Sequence, residues 1–264
     1  MSERRTALVT GASGGIGLEL ARLLAADRFD LVITARSGDK LEALASELRE
    51  RHGGDVHVIT SDLAQAGAVA GIVAQLKERG VRVDALVNNA GFAMYGPFIE
   101  ADQAQLMGML QVNMAALTEL TRAYLPPMVQ RKWGRVLNVA STAAFQPGPL
   151  MAAYYASKAY VLNLSIALNE EVRGTGVSVT ALCPGSTQSG FQERARMQGS
   201  RLVANRKLPS SAEVADVGFA AMKAGKPMVV VGARNRALAF SARLGPRPLI
   251  ARVVMKAQAP VDVS

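Results

Sequence analysis

The sequence predicts an α/β domain, and three observations carry that reading. Short apolar strands alternate along the chain with segments whose apolar residues recur at helical spacing. The first strand, Thr6–Thr10, runs straight into a glycine-rich turn and then a helical face of Leu18, Leu20, Ala21, Leu23 and Leu24. With 264 residues, half of them hydrophobic and 19% charged, the chain can bury the core of one such domain over 1–264.

The turn after the first strand carries Gly11, Ser13, Gly14, Gly15, Ile16 and Gly17. Strand, glycine turn and helix N-terminus together make a phosphate cradle, because free backbone N–H groups and the positive end of the helix dipole face the anion. Gly11 permits the tight turn, Gly15 lets a diphosphate approach, and Gly17 lets helix and strand pack closely. The spacing G-x-x-x-G-x-G differs from the general G-x-G-x-x-G fingerprint. Dinucleotide binding is the reading favoured over a plain turn. The second strand, Asp30–Ala35, ends at Arg36. An acidic residue at that position would hold a ribose 2′-hydroxyl and repel a 2′-phosphate. A guanidinium does the reverse, so NADP(H) is expected ahead of NAD(H), which stays open.

A helix over 41–51 leads to a third strand, Val56–Thr60, closed by Asp62 and Leu63. Asp62 either contacts a base edge there or caps the next helix, expected over 65–79. The fourth strand, from Asp84, ends in Asn88, Asn89, Ala90 and Gly91, small enough for a flat ring to lie against the backbone. A long helix is expected over 103–132 and contains Asn113, which by default faces solvent. The fifth strand, 134–140, ends beside Ser141, on the edge where ligands gather in open parallel sheets. The sixth, 177–182, is followed by Cys183, Pro184, Gly185, Ser186 and Thr187. A substrate lid is expected over 188–210, a capped helix over 211–224 and a last strand over 228–231.

Tyr154 and Lys158 stand four residues apart at the start of a helix expected to run to 173, and so project from one side of it. A phenol has a reference pKa of about 10. A lysine cation beside it favours the phenolate and brings that pKa toward the range useful for proton transfer. Tyr155, three residues from Lys158, points about 100° away around the helix. Phe92, Met94, Phe145, Met151, Tyr155 and Phe191 flank this region and would make a partly apolar substrate site.

The composition excludes several classes. No apolar run is long enough to span a bilayer. One cysteine rules out an internal disulfide and suits a reducing, cytoplasmic setting. With two histidines and that single cysteine, no metal site is expected. The net charge is +9, and 205–264 holds ten Lys/Arg against three Asp/Glu. The arginines are dispersed and no nucleic-acid-binding motif accompanies them, which argues against nucleic acid. A solvated basic face is the reading favoured; the basic extension over 232–264 could otherwise pack on a partner subunit, cover the site or lie on a membrane surface. Its Gly245, Pro246, Arg247 and Pro248 break argues against one continuous membrane-lying helix.

Thr10, Gly11, Gly15, Gly17, the run 88–91, Asn113, Ser141, Tyr154, Lys158, Pro184 and Gly185 together resemble the short-chain dehydrogenase/reductase family in order and spacing, over 6–231. The resemblance implies a Rossmann-like, doubly wound parallel sheet of seven strands in the order 3-2-1-4-5-6-7. It implies that Tyr154 is the general acid/base, that Lys158 lowers its pKa and binds the nicotinamide ribose, and that Ser141 orients the substrate oxygen. Asn113 would hold a water linking Lys158 to solvent. The loop Gly11–Gly17, Arg36, Asp62, Leu63, Asn89, Ala90, Gly91, Pro184, Gly185 and Thr187 would contact the dinucleotide. The implied activity is reversible NADPH-dependent reduction of a ketone or aldehyde by a homodimer or homotetramer. An alcohol or hydroxysteroid dehydrogenase working oxidatively, or a non-catalytic dinucleotide sensor, are the alternatives. Two stretches depart from the family pattern: Ser13 and Gly14 stand where NADP-preferring members often carry a basic residue, and 186–189 lacks the usual approach to a threonine.

Overall fold

Seven parallel strands form one sheet in the order β3-β2-β1-β4-β5-β6-β7 in the computed structural model, which describes residues 4–188, 190, 208–242 and 245–259. The strands are β1 (Thr6–Thr10), β2 (Asp30–Ala35), β3 (Val56–Thr60), β4 (Val83–Asn88), β5 (Gly134–Val139), β6 (Val177–Cys183) and β7 (Met228–Val230). Every pairing is parallel, so each strand returns through a crossover, and helices cover both faces. Strands buried on both faces read as continuous apolar runs, which is why β1 and β4 were legible without alternation.

On β1, Ala7 and Val9 pack under α1 (Gly15–Ala26) and α2 (Gly38–His52), with α7 (Ser211–Lys223) completing that layer. Leu8, between them, points to the opposite layer of α3 (Ala68–Glu78) and α5 (Leu117–Gln130). The chain order reverses between β1 and β4, and open α/β sheets bind ligands in the crevice at such a reversal.

Four expectations are sharpened or corrected. The helix expected over 103–132 is two helices, α4 (Gln103–Leu110) and α5, joined by a π turn at Gln111–Ala116. Such wide turns are frequent at functional sites, and this one contains Asn113. Asp62 does not cap α3, which starts six residues later behind Gly67. Its Oδ1 accepts from Ala64 N at 3.1 Å and its carbonyl from Gln65 N at 3.0 Å, making a local turn. The helix over 211–224 has its cap one residue earlier, where Ser210 and Glu213 form a capping box. The basic extension forms two helices, α8 (Ala233–Ser241) and α9 (Arg247–Gln258), with Pro248 in the first turn of α9. Between α5 and β7 lies α6 (Ala152–Glu171), the helix that carries Tyr154 and Lys158. The expected lid lies almost wholly outside the described residues.

Candidate active site

The glycine turn is shaped by contacts that tolerate no side chain. Gly11 has φ +67 and donates its N–H to Thr34 O at 2.8 Å. A Cβ on Gly17 would fall 2.3 Å from Asn89 Nδ2 and 2.5 Å from Gly11 O. That contact exists because Asn89 reaches back to the turn, its Nδ2 donating to Thr10 O at 2.9 Å and Gly11 O at 3.2 Å. Thr10 answers it: its Oγ1 accepts from Asn89 N and Ala90 N, both at 3.0 Å. Asn89, read from sequence as a ligand contact, thus spends its amide on fastening the β4 turn to the β1 turn. Gly14 is different. A Cβ there would meet nothing within 4 Å, and α1 begins at Gly15 with no side-chain cap and no acidic residue in its first turn. The first N–H groups of α1 therefore open outward beside Ser13 and Ile16.

Arg36 lies exposed just past β2, with no ion-pair partner among the described residues. Ser13, Lys40 and Glu47 line a depression between α1 and α2. Leu63 is buried among the apolar residues of the α3 layer. Thr187 is buried and donates its hydroxyl to Gly185 O at 3.1 Å.

The four residues expected to do chemistry converge at the C-terminal ends of β4 and β5. Tyr154 and Lys158 are 8% and 5% exposed. Lys158 Nζ donates to Val139 O at 2.8 Å and lies 5.8 Å from the Tyr154 ring centroid. The Tyr154 hydroxyl is hydrogen-bonded to Ser141. Ser141 Oγ also accepts from Ala143 N at 3.1 Å and donates to Pro184 O at 3.4 Å, so the serine is oriented from β5 and β6 together.

Asn113 is buried, not solvent-facing, at 1% exposure. Its Nδ2 donates to Phe92 O at 3.0 Å and Ser157 Oγ at 3.1 Å, while Oδ1 accepts from Phe92 N at 3.1 Å. Both amide hydrogens are thus taken by protein. A water relay at this residue would fall to the second Oδ1 lone pair or to the backbone carbonyl in the π turn. A Cβ on Gly91 would meet Asn113 Oδ1 at 3.0 Å and Lys158 Nζ at 3.5 Å, so the β4 turn presses directly on both groups.

The electrostatics depart from the simple tyrosine–lysine argument. Burial pushes the Tyr154 phenol well above its usual range. The Ser141 hydrogen bond pulls it partly back, and Tyr155 raises it further. Burial also lowers the Lys158 ammonium to about 8. The lysine is itself strained as a cation and spends a donor on Val139, so the phenol stays neutral until another charge enters the site.

Phe92, Met94, Met151 and Tyr155 gather in one apolar cluster with Tyr154, Ile250 and Val254. Phe145 packs elsewhere, against Leu117, Ala140 and Val161, and Phe191 lies outside the described residues. Tyr155 is fixed by surroundings of its own. Its hydroxyl accepts from Gln258 Nε2 at 2.7 Å, it also bonds Gln146, and burial pushes its pKa to about 12. Its ring lies where a Cβ on Gly148 would be, 2.2 Å from Cγ. Sequence reasoning missed Gln258, fully buried at the end of α9 and also joined through its carbonyl to Tyr95. The i, i+4, i+8 spacing of Ile250, Val254 and Gln258 was the available signal. It also missed the buried Asn88–Thr121 and Asn88–Asn138–Ser165 hydrogen bonds that tie α5 and α6 to the sheet below the site.

The chain is similar to known proteins in sequence and fold. A family model described as short chain dehydrogenase matches residues 5–199. The ketoacyl reductase HetN of Nostoc sp. is 33% identical over 199 residues, covering 75% of this chain and 69% of its own. A sulfoacetaldehyde reductase of Chromohalobacter salexigens is 37% identical over 185 residues, 69% of this chain and 72% of its own. Among solved structures, a short-chain dehydrogenase of Sphingobium yanoikuyae in complex with NADPH superposes with a TM-score of 0.81 at 31% identity, covering 98% of this chain and 100% of that one. A bulky-bulky ketone specific alcohol dehydrogenase of Comamonas testosteroni gives 0.78 at 29%, over 92% and 94%.

Proposed function

The chain belongs to the short-chain dehydrogenase family, and we propose that it reduces a ketone or aldehyde with NADPH, Tyr154 delivering the proton. As a member it is an oxidoreductase of CH–OH and C=O groups. The observation that carries the finer reading is the convergence of Tyr154, Ser141 and Lys158 on one strand edge, beside a glycine turn left open at Gly14.

The residues fit a dinucleotide. The uncapped start of α1 offers its N–H groups to a diphosphate, and the backbone at Ala90 and Gly91, carrying no bulky side chain, would let a flat ring lie against it. Arg36, exposed just past the end of β2, would supply positive charge for a 2′-phosphate. The dinucleotide, when bound, supplies the hydride. Pro184, Gly185 and Thr187 would close its carboxamide side, and Asp62 and Leu63 its base side.

The Tyr154 and Ser141 hydroxyls are hydrogen-bonded to each other, and a carbonyl oxygen arriving beside them would take the Tyr154 donor, and that of Ser141 once it turns from Pro184 O. Tyr154 enters the reaction as a neutral acid, the state that burial favours. As the oxygen takes the proton, phenolate charge develops next to Lys158, whose cation then stabilises it more than it stabilises the ground state. Proton return to Tyr154 runs through Lys158 toward Asn113 and the π turn. A dinucleotide sensor without chemistry has no use for all four groups at one point, which favours the enzyme reading. The substrate carbon would lie against Phe92, Met94 and Met151, and the assembly would be a homodimer or homotetramer.

The test is NADPH consumption against a panel of ketones and aldehydes, with Tyr154→Phe alongside. Loss of about 10²- to 10⁴-fold in kcat, the usual contribution of a positioned acid, is expected. Turnover unchanged in that variant removes Tyr154 from the chemistry.

A further inference from the structure

We infer that α8 and α9 dock on an anionic lipid surface, and that the carbonyl substrate enters from that lipid; the second part rests on the reductase reading above. From 217 to 261 the sequence contains eight Lys/Arg and no Asp or Glu. Within α8 and α9, Arg234, Arg236, Arg247, Arg252 and Lys256 are all exposed, and none pairs with a carboxylate among the described residues. Interleaved with them are Leu238, Phe240, Leu249, Val253 and Met255, between 44% and 65% exposed. These are five of the ten large apolar side chains exposed among the described residues, gathered within eighteen positions. Single exposed apolar residues need no explanation, but such a concentration does.

The chemistry selects the occupant. Aliphatic and aromatic tips on helices whose charges are all positive match a bilayer of anionic headgroups over acyl chains. The tips enter the acyl boundary while arginine and lysine stems reach back to the headgroups. A symmetric contact with a second copy would set the same cations against each other, with no acid in the segment to relieve them. Nucleic acid would leave the apolar tips without a partner.

α9 has two working faces. Its outer stripe carries Leu249, Val253 and Lys256, with Arg252 beside them. Its inner stripe carries Ile250, Val254 and Gln258, which pack on Tyr154, Tyr155 and Met151. One helix thickness therefore separates the basic apolar surface from the wall of the candidate substrate site. A carbonyl on a long apolar chain is the substrate class such a placement serves.

The experiment is co-sedimentation of the full chain with vesicles of phosphatidylcholine alone or mixed with phosphatidylglycerol, without cofactor or substrate. Binding is expected only to the anionic vesicles. Arg252→Gln with Lys256→Gln should weaken it about 30-fold, each surface cation contributing about fivefold. Leu249→Ser with Val253→Ser should weaken it about 10-fold or more. Protein that stays in the supernatant, that binds both vesicles equally, or whose binding survives both double substitutions overturns the docking. So does a change of oligomeric state in the variants with vesicle binding unaltered, which would reassign the face to a second copy. A second arm compares NADPH-dependent reduction of a long-chain aldehyde held in the anionic vesicles with that of a short water-soluble ketone. The docking variants should lose rate on the vesicle-borne aldehyde alone. Equal loss, or none, on both overturns entry from lipid. If the wild type binds vesicles but reduces neither carbonyl, the reductase reading and lipid entry fall, and the docking stands.

Discussion

Replacing Lys158 by methionine should inactivate the protein and, at pH 7, make it more stable. Burial lowers the folded-state pKa of Lys158 from 10.5 to about 8. Each unit corresponds to about 1.4 kcal/mol, so keeping the proton in that site costs about 3 kcal/mol at pH 7. Against this, the Val139 carbonyl loses a donor at 2.8 Å, which costs about 1–2 kcal/mol. The net gain expected for the variant is then about 1–2 kcal/mol. The pH dependence is the sharper signature. At pH 7 the folded and unfolded chains both carry the proton, and the full penalty is present. Above pH 8 the folded chain has released it while the unfolded chain still holds it, so the unfolded state binds more protons and wild-type stability rises with pH. The penalty fades toward 10.5, and by pH 9.5 the advantage of the variant should have shrunk by about 2 kcal/mol. Urea unfolding at fixed protein concentration, followed by circular dichroism across pH 7 to 9.5, measures the difference directly. Parallel pH profiles for wild type and variant would refute the reasoning, because they would show a lysine ammonium as well solvated in the site as in the unfolded chain.

Other residues give separable outcomes. Arg36→Asp should raise the dissociation constant for NADPH by about 10- to 100-fold and leave NADH within about threefold, measured by titration of intrinsic fluorescence. Asn113→Leu strands the Phe92 N–H and carbonyl together. A loss of about 2–4 kcal/mol is expected by urea unfolding. Gly17→Ala drives a methyl into Asn89 and the Gly11 carbonyl. It should abolish dinucleotide binding in the same titration even where the thermal unfolding midpoint shows a folded protein. Gln258→Leu removes a donor to Tyr155 but also a buried Oε1 that has no partner among the described residues. Its stability change should stay within about 1 kcal/mol in thermal unfolding.

Legibility divided along the range of the interactions involved. Strand ends and glycine turns were readable because their signals are local: an apolar run, a stop, then residues that permit one backbone geometry. The choice of Tyr154 over Tyr155 was not local in this sense: both stand within helical reach of Lys158, and the family resemblance selected between them. Asn113 was not readable, because its burial depends on Phe92, twenty-one residues earlier, presenting an N–H and a carbonyl together to one amide. Nor did the periodicity of 103–130 announce the π turn, since one wide turn barely alters which residues face the sheet. Spacing put Lys158 beside Tyr154 but said nothing about solvent, and solvent decides the sign. Once both groups are dry, the lysine is pressed to give up its proton and the phenol to keep its own. That inversion is useful to a reductase. An acid that is neutral before reaction and a cation that gains stability only as phenolate charge develops place the electrostatic gain in the transition state, where it raises the rate, and not in the ground state, where it would not.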